Sequence, residues 1–229
     1  MKKHKSVIIL PILLMVFIFS SCISIERAIK INEDGSGSEV MTIYYSKDFF
    51  DFMKSAAMAF DSVKGNSIMD SLLSEDLFSN ELKDKYKKID GITLKDIKSK
   101  YNSDSSMTMK VNYNFDNVKR LEQSGQTLNS DEGTFGKGKT EIIYKKELNK
   151  ILFSYKYEMA SESDTSNSMR NSMSAFFKDQ KMKFNITFPY KIKSSNATKT
   201  NGKTLTWEFD MDKMMSSGSV VDLEVEMKK

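Results

Sequence analysis

The chain has 229 residues, with 35 Lys and Arg against 31 Asp and Glu, a formal net charge of +4, one cysteine and one histidine. A single cysteine excludes an intrachain disulfide. The lysines are interspersed with Asp and Glu rather than gathered in a stripe, which argues against a nucleic-acid partner.

Residues 1–21 have the parts of an export leader. Lys2, Lys3 and Lys5 form a positive start, and Val7 to Phe19 is apolar except for Pro11. As a helix, this run rises about 20 Å, short of the roughly 30 Å hydrocarbon core. It therefore reads as a removable signal rather than a permanent span. Phe19-Ser20-Ser21-Cys22 resembles the lipobox of bacterial lipoproteins, with Phe19 where Leu is usual. The resemblance implies cleavage between Ser21 and Cys22 and a diacylglycerol, palmitate-type anchor on the Cys22 thiol. Loss of the leader takes the basic count to 32 against 31 acidic residues and removes His4. Without histidine or a free thiol, Ser-His-Asp and Cys-His nucleophiles cannot be built. Zinc sites of the His and Cys kinds are excluded as well. No catalytic residue, metal site or cofactor is expected; paired carboxylates remain the one hydrolytic chemistry available.

Alternation of apolar and polar residues dominates the rest of the chain. Ile23, Ile25, Ile29 and Ile31 alternate, as do Met41, Ile43 and Tyr45, and Asp34-Gly35-Ser36-Gly37 between them suits a hairpin turn. Phe49, Phe52, Met53, Ala56 and Phe60 have helical spacing, and Ile68, Leu72 and Leu73 begin a second stripe. A second hairpin joins Ile92–Tyr101 to Met107–Phe115 through Asn102-Ser103-Asp104, and a third turns at Leu148-Asn149-Lys150. Met169, Met173, Phe176 and Phe177 make a third helical stripe after a Ser-rich segment. Strand patterns return at Met182–Phe188, Leu205–Phe209 and Val221–Met227. Asp116 and Asp210, each after a strand-ending aromatic, are placed to cap the following turn. The expectation is an α+β fold: one large, mostly antiparallel curved sheet of about eight strands against two or three helices. Residues 22–229 are read as a single domain with a helical insertion near 47–88.

Three patterns compete for a functional role. Gly133-Thr-Phe-Gly-Lys-Gly138-Lys139-Thr140 satisfies the P-loop expression, but a P-loop needs a buried strand before it and a helix after it. Polar residues precede the motif and a strand pattern follows, so no nucleotide is expected. Fourteen methionines remain after the leader; most fall on apolar faces, as core filling rather than copper ligands. The inward aromatics Tyr113, Phe115, Phe153, Tyr155, Tyr157, Phe184, Phe188, Trp207 and Phe209 would line one face of the sheet opposite the helices. They could form a plain core or enclose a cavity for an acyl chain or other apolar ligand.

Arg27-x-Ile-x-Ile-Asn32-Glu-Asp-Gly35-Ser-Gly37 resembles the start of LppM-type bacterial lipoproteins. Phe188-Pro189-Tyr-Lys-Ile192-x-x-Ser-Asn196 and Asn201-Gly202-Lys-Thr-Leu-Thr-Trp207 are similar to their later strand pair. The resemblance implies an α+β domain of lipid-handling type with no assigned catalysis. Ile23 is not the Asp that retains enterobacterial lipoproteins in the inner membrane, which implies the outer membrane facing the periplasm, with the cell surface as the alternative. The expected role is a membrane-anchored, non-enzymatic envelope lipoprotein that binds an apolar ligand or an envelope partner. A structural or assembly role and a carboxylate hydrolase are the alternatives.

Overall fold

The computed structural model describes residues 23–60, 75–128, 138–159, 177–214 and 218–229. The leader, Cys22, the stripe from Ile68 to Leu73 and most of the stripe ending at Phe177 lie outside them.

Two long hairpins begin the fold. Strands β1 (Ile23–Ile31) and β2 (Gly37–Tyr45) pair from Ile31–Gly37 at the turn to Ile23–Tyr45 at the open end. Strands β3 (Ile92–Tyr101) and β4 (Met107–Phe115) repeat the arrangement, with one irregularity between Leu94 and Asp96. The connections use one device. In the first, Asp34 Oδ1 accepts from the Ser36 amide at 3.0 Å and the Ser36 hydroxyl at 2.7 Å, and Asn32 Nδ2 donates to Ser36 Oγ. In the second, Asp104, Ser106 and Asn102 make the same three bonds. Such Asx turns place one residue at positive φ: Gly35 at 93° in the first and Ser105 at 64° in the second.

The hairpins meet edge to edge through β2 and β4, and the resulting sheet has the order β3-β4-β2-β1-β7-β10-β9. Here β7 is Lys181–Thr187, β9 Lys199–Asn201 and β10 Thr204–Asp210. The remaining strands, β5 (Gly138–Lys146), β6 (Lys150–Met159), β8 (Lys191–Ser195) and β11 (Val220–Lys228), form a second sheet ordered β5-β6-β11-β8. One sheet of about eight strands was therefore an underestimate: among the described residues eleven strands form two sheets, which do not close into one barrel. The division falls where the chain passes Phe188-Pro189-Tyr190. Pro189 lacks an amide proton to continue a ladder, and β7 on one side of it and β8 on the other join different sheets. Among the described residues all pairings are antiparallel except β1 with β7.

Among the described residues there are four helices: α1 (Lys47–Phe60), α2 (Glu75–Lys87), α3 (Arg120–Leu128) and the single turn α4 (Met211–Met214). Ser46 Oγ caps α1 by accepting the Phe49 amide at 3.2 Å. Phe49 then packs on Tyr45 with ring centroids 5.3 Å apart. At the start of α3 the capping oxygen is not that of Asp116, which binds Arg120, but that of Asn117, accepting from the Lys119 amide at 3.0 Å. Asp210 is likewise turned away, toward Lys181 and Lys213.

The inner faces of the two sheets meet in the core. The outer face of the larger sheet is polar, with Thr206 donating to Asn185 and Asn185 to Glu26. Methionine serves the core as expected: Met41, Met107, Met109, Met159, Met211 and Met227 are all buried. The fold has two poles. Ile23, Tyr45 and Met107 mark one, adjacent to Cys22. The Asn32–Ser36 turn marks the other, about 30 Å away along the nine residues of β1. Because β7 runs parallel to β1, Phe188, the start of β8 and the β9–β10 turn also lie at this far pole. The β5–β6 turn joins them, with Lys146 Nζ donating to the Glu33 carbonyl at 2.6 Å.

Candidate functional site

The structure brings the predicted aromatics together in two groups. Phe153, Tyr155 and Tyr157 project from β6 toward Phe184 of β7 and Trp207 and Phe209 of β10. Among the described residues they face the opposite sheet rather than helices, which corrects the sequence expectation. Phe153 meets Phe188 at 5.2 Å, Tyr155 meets Phe184 at 5.4 Å and Phe184 meets Phe209 edge-on at 6.0 Å. These are ordinary contact distances for paired rings. Tyr113 and Phe115 lie in the other half of the core; Tyr113 packs on Tyr86 of α2 at 5.2 Å.

Between the two groups lies a buried polar node. Arg27 and Glu39 occupy inward positions of β1 and β2, 4 % and 0 % exposed. Arg27 stands opposite Met41, and Glu39 opposite Ile29, so the pair meets diagonally across the ladder. The guanidinium binds both carboxylate oxygens, Nε to Oε1 at 2.5 Å and Nη2 to Oε2 at 2.9 Å, and donates through Nη1 to Tyr155 Oη at 3.1 Å. Its plane lies within 5.7 Å of the Tyr155 ring and 5.3 Å of the Phe184 ring, close enough for cation–π attraction. Tyr113 Oη donates to Glu39 and lies 2.8 Å from Ser124 Oγ of α3. The node thus joins β1, β2, β4, β6 and α3.

Its electrostatics follow from burial. Desolvation pulls the Arg27 guanidinium down, but Glu39 at bonding distance, together with Tyr155 and Tyr113, more than offsets it, and the net shift is upward. Burial first, and Glu39 second, push the Tyr113 phenol well above its usual value. Burial does the same to Tyr86, whose hydroxyl has no partner among the described residues. Arg27 stays a cation and Tyr113 a proton donor at every physiological pH. Both bind Glu39.

The sequence reading passed over this pair. Arg27 and Glu39 interrupt otherwise apolar inward series, Ile23-Ile25-Arg27-Ile29-Ile31 and Glu39-Met41-Ile43-Tyr45. A charge in the inward phase of a strand was the available signal.

The far pole carries a different feature. A groove of about 610 Å³ runs between β8 and the β9–β10 turn, lined by Lys191, Lys193 and Lys203 with Ser194, Ser195, Thr200, Ile192 and Gly202. It marks a seam, because β8 ends one sheet and β9 the other. On the opposite side of the molecule the corresponding strands β3 and β5 are covered by helices, and Glu122 of α3 accepts the Ile142 amide at 2.7 Å. Asn196 stitches the open seam at one end. Its Oδ1 accepts from Trp207 Nε1 at 2.7 Å and from the Glu224 amide at 2.9 Å, while its Nδ2 donates to the Asp222 carbonyl.

Of the P-loop-like residues, 138–140 lie in β5 and Thr140 is buried, so a strand occupies the place a P-loop gives to a helix. No group of three or more His, Cys, Asp or Glu among the described residues could hold a metal ion. No helix among them is long and apolar enough to cross a membrane. Ser21 and Cys22 lie outside the described residues; the nearest described residue, Ile23, is buried and already in strand.

No family model and no curated protein matches the sequence. Among solved structures, the folded domain of the Mycobacterium tuberculosis protein LppM is similar to this chain with a TM-score of 0.46 and 14% identity, over 90% of each chain.

Proposed function

We propose that this chain is a membrane-tethered, non-enzymatic lipoprotein of the cell envelope, held by an acyl anchor on Cys22, that binds an envelope partner through its far pole. The observation that carries this reading is the placement of two features at opposite ends of β1. The lipobox-like cysteine directly precedes Ile23, and the open seam lies at the end of the fold away from it. A body whose first strand begins one residue after its anchor has almost no tether, so the surface facing away from the bilayer is the one available to a partner. Three acyl chains on one cysteine would hold such a body firmly.

An apolar ligand between the sheets is the second reading. The ring contacts between Phe153, Tyr155, Phe184, Phe188 and Phe209 favour the surface partner over it, because those side chains already fill one another's space. A carboxylate hydrolase gains no support from Glu39, which is bound by Arg27 and Tyr113.

The test is metabolic labelling with palmitate in wild type and Cys22→Ala, followed by native mass spectrometry of the detergent-extracted protein. The expected product begins at Cys22, carries label lost in the variant, and has no further lipid. An unlabelled chain that retains Met1 overturns the anchor. A stoichiometric lipid that survives extraction transfers the reading to an apolar-ligand carrier.

A further inference from the structure

The lysines of the far pole are arranged, not scattered. In the second sheet Lys150 of β6 stands directly opposite Lys228 of β11, and Lys228 directly opposite Lys191 of β8. Three ammonium groups therefore share one row on one face, with neighbouring strands about 4.8 Å apart. Like charges placed directly opposite one another oppose strand pairing. Lys191 and Lys228 are exposed, and neither is in an ion pair among the described residues. At its β8 end the row enters the groove, where Lys193 and Lys203 flank it and the hydroxyls of Ser194, Ser195 and Thr200 supply donors. Lys193 is paired with Glu226 at 2.6 Å, Lys150 with Glu147 at 3.5 Å, and Lys203 Nζ donates to the Pro189 carbonyl.

Lysine on an edge strand is a common guard against strand addition, which accounts for Lys191 and Lys193. It does not account for Lys150 and Lys228, which sit inside the sheet, or for Lys203 across the groove. The geometry points to a binding path for a linear phosphate-bearing polyanion, running from Lys150 over Lys228 and Lys191 into the groove at Lys203. A single phosphate would meet one or two of these ammonium groups. A chain with negative charge every few ångströms meets the unpaired Lys191 and Lys228 together and competes with Glu147 and Glu226 for Lys150 and Lys193, and the hydroxyls accommodate its oxygens. This inference rests on the far pole being the binding surface, as proposed above, and names the chemistry of what binds there.

One other in-register lysine pair, Lys98 of β3 and Lys110 of β4, supplies a control. Lys98 has Asp96 at 2.9 Å, and neither lysine lines the groove. The experiment titrates the mature, detergent-solubilised protein with short-chain inorganic polyphosphate and with orthophosphate at two salt concentrations. Parallel binding is measured to vesicles of phosphatidylcholine with and without phosphatidylglycerol. Polyphosphate should bind far more tightly than orthophosphate. Lys191→Glu with Lys228→Glu should weaken it at least about tenfold and flatten its salt dependence, since fewer counterions are released. Lys98→Glu with Lys110→Glu should change it less than about twofold, as a remote charge change does. Equal losses in the two double variants overturn the proposal, because they reduce it to net charge. Binding to phosphatidylglycerol vesicles without binding to polyphosphate also overturns it, in favour of a lipid surface. No binding to either, in a protein that still incorporates palmitate, overturns the polyanion while leaving the anchored module intact.

Discussion

The two N-terminal hairpins are the same object built twice, and they differ where it matters most. Each turns on Asn-x-Asp-x-Ser with the same side-chain bonds. Counted from those turns, Arg27 corresponds to Ile97, five residues before the Asn, and Glu39 to Met109, three residues after the Ser. All four are buried. One hairpin thus fills its inward positions with apolar side chains and the other fills equivalent positions with a charge pair. The hairpin itself does not require the charges. The first hairpin reaches the second sheet through Arg27, which donates to Tyr155 of β6, whereas Tyr113 of the second packs on Tyr86 of α2. The ion pair lies at the junction between layers, where its directional bonds are expected to favour one packing of the sheets over others.

The sharpest way to break the comparison is to convert one position only. Glu39→Met, copying Met109, leaves the Arg27 guanidinium buried beside aromatic rings with no counter-charge. An uncompensated buried charge costs about 3–5 kcal/mol, and urea unfolding should show a loss of that size. Converting both, Arg27→Ile with Glu39→Met, should recover at least half of that loss. Apolar replacement of a buried pair is often neutral, less about 1–3 kcal/mol for a hydroxyl left without its partner, here that of Tyr155, since Tyr113 keeps Ser124. If the double variant unfolds as readily as the single one, the second hairpin is no guide to the first. Sheet selection is read separately: a double variant that regains stability while its near-ultraviolet aromatic signal collapses has lost the fixed packing of the layers.

The turns give a smaller effect with a definite sign. The side-chain bond from Ser36 leads the causes that lower the Asp34 carboxyl, and the bond from Ser106 does so for Asp104. A carboxyl lowered in the folded state adds stability above the ordinary aspartate value, about 3.9. That stability is lost as pH falls through the lower folded value. Carboxyl titration by NMR should show both aspartates ionising below the ordinary range, with Ser36→Ala and Ser106→Ala each returning its own aspartate toward it. Asp34 also feels Lys146, so added salt should raise Asp34 more than Asp104. Equal salt responses would remove that distinction.

Legibility followed the range of the information. Alternation and turn residues are local, and they placed both hairpins and the turn near Leu148 at their observed positions. Assembly is not local. Nothing in Lys181–Thr187 announces a parallel partner in β1, and nothing near Pro189 states that the next strand joins a second sheet. The candidate site divides in the same way. The aromatics were readable as inward residues, but their opposing surface was read as helix because the second sheet was unforeseen. Arg27 and Glu39 were passed over because an apolar series with one charged member still reads as a strand. Asn196 was read only as the end of the pattern that starts at Phe188, whereas its side chain ties Trp207 to β11.

The last difference between the hairpins is one residue at each turn. Gly35 and Ser105 both stand at positive φ, 93° and 64°, but only glycine reaches that region without strain from its own Cβ. A left-handed conformation costs a residue with a Cβ about 1–2 kcal/mol. Glycine gives back part of any gain, because its unfolded chain has more freedom to lose. Ser105→Gly should therefore stabilise the protein by about 0.5–1 kcal/mol, and Gly35→Ser should cost a similar amount. At Gly35 an added Cβ would meet the Tyr144 ring at 3.6 Å, an ordinary contact, so its cost is conformational rather than steric. The two substitutions exchange the hairpins' turn chemistry without touching the Asn, Asp or final Ser of either. Thermal or urea unfolding should give opposite signs for them. Equal signs would mean that the shared bonds do not hold the two turns in one conformation, and the correspondence of Arg27 with Ile97 would lose its frame of reference.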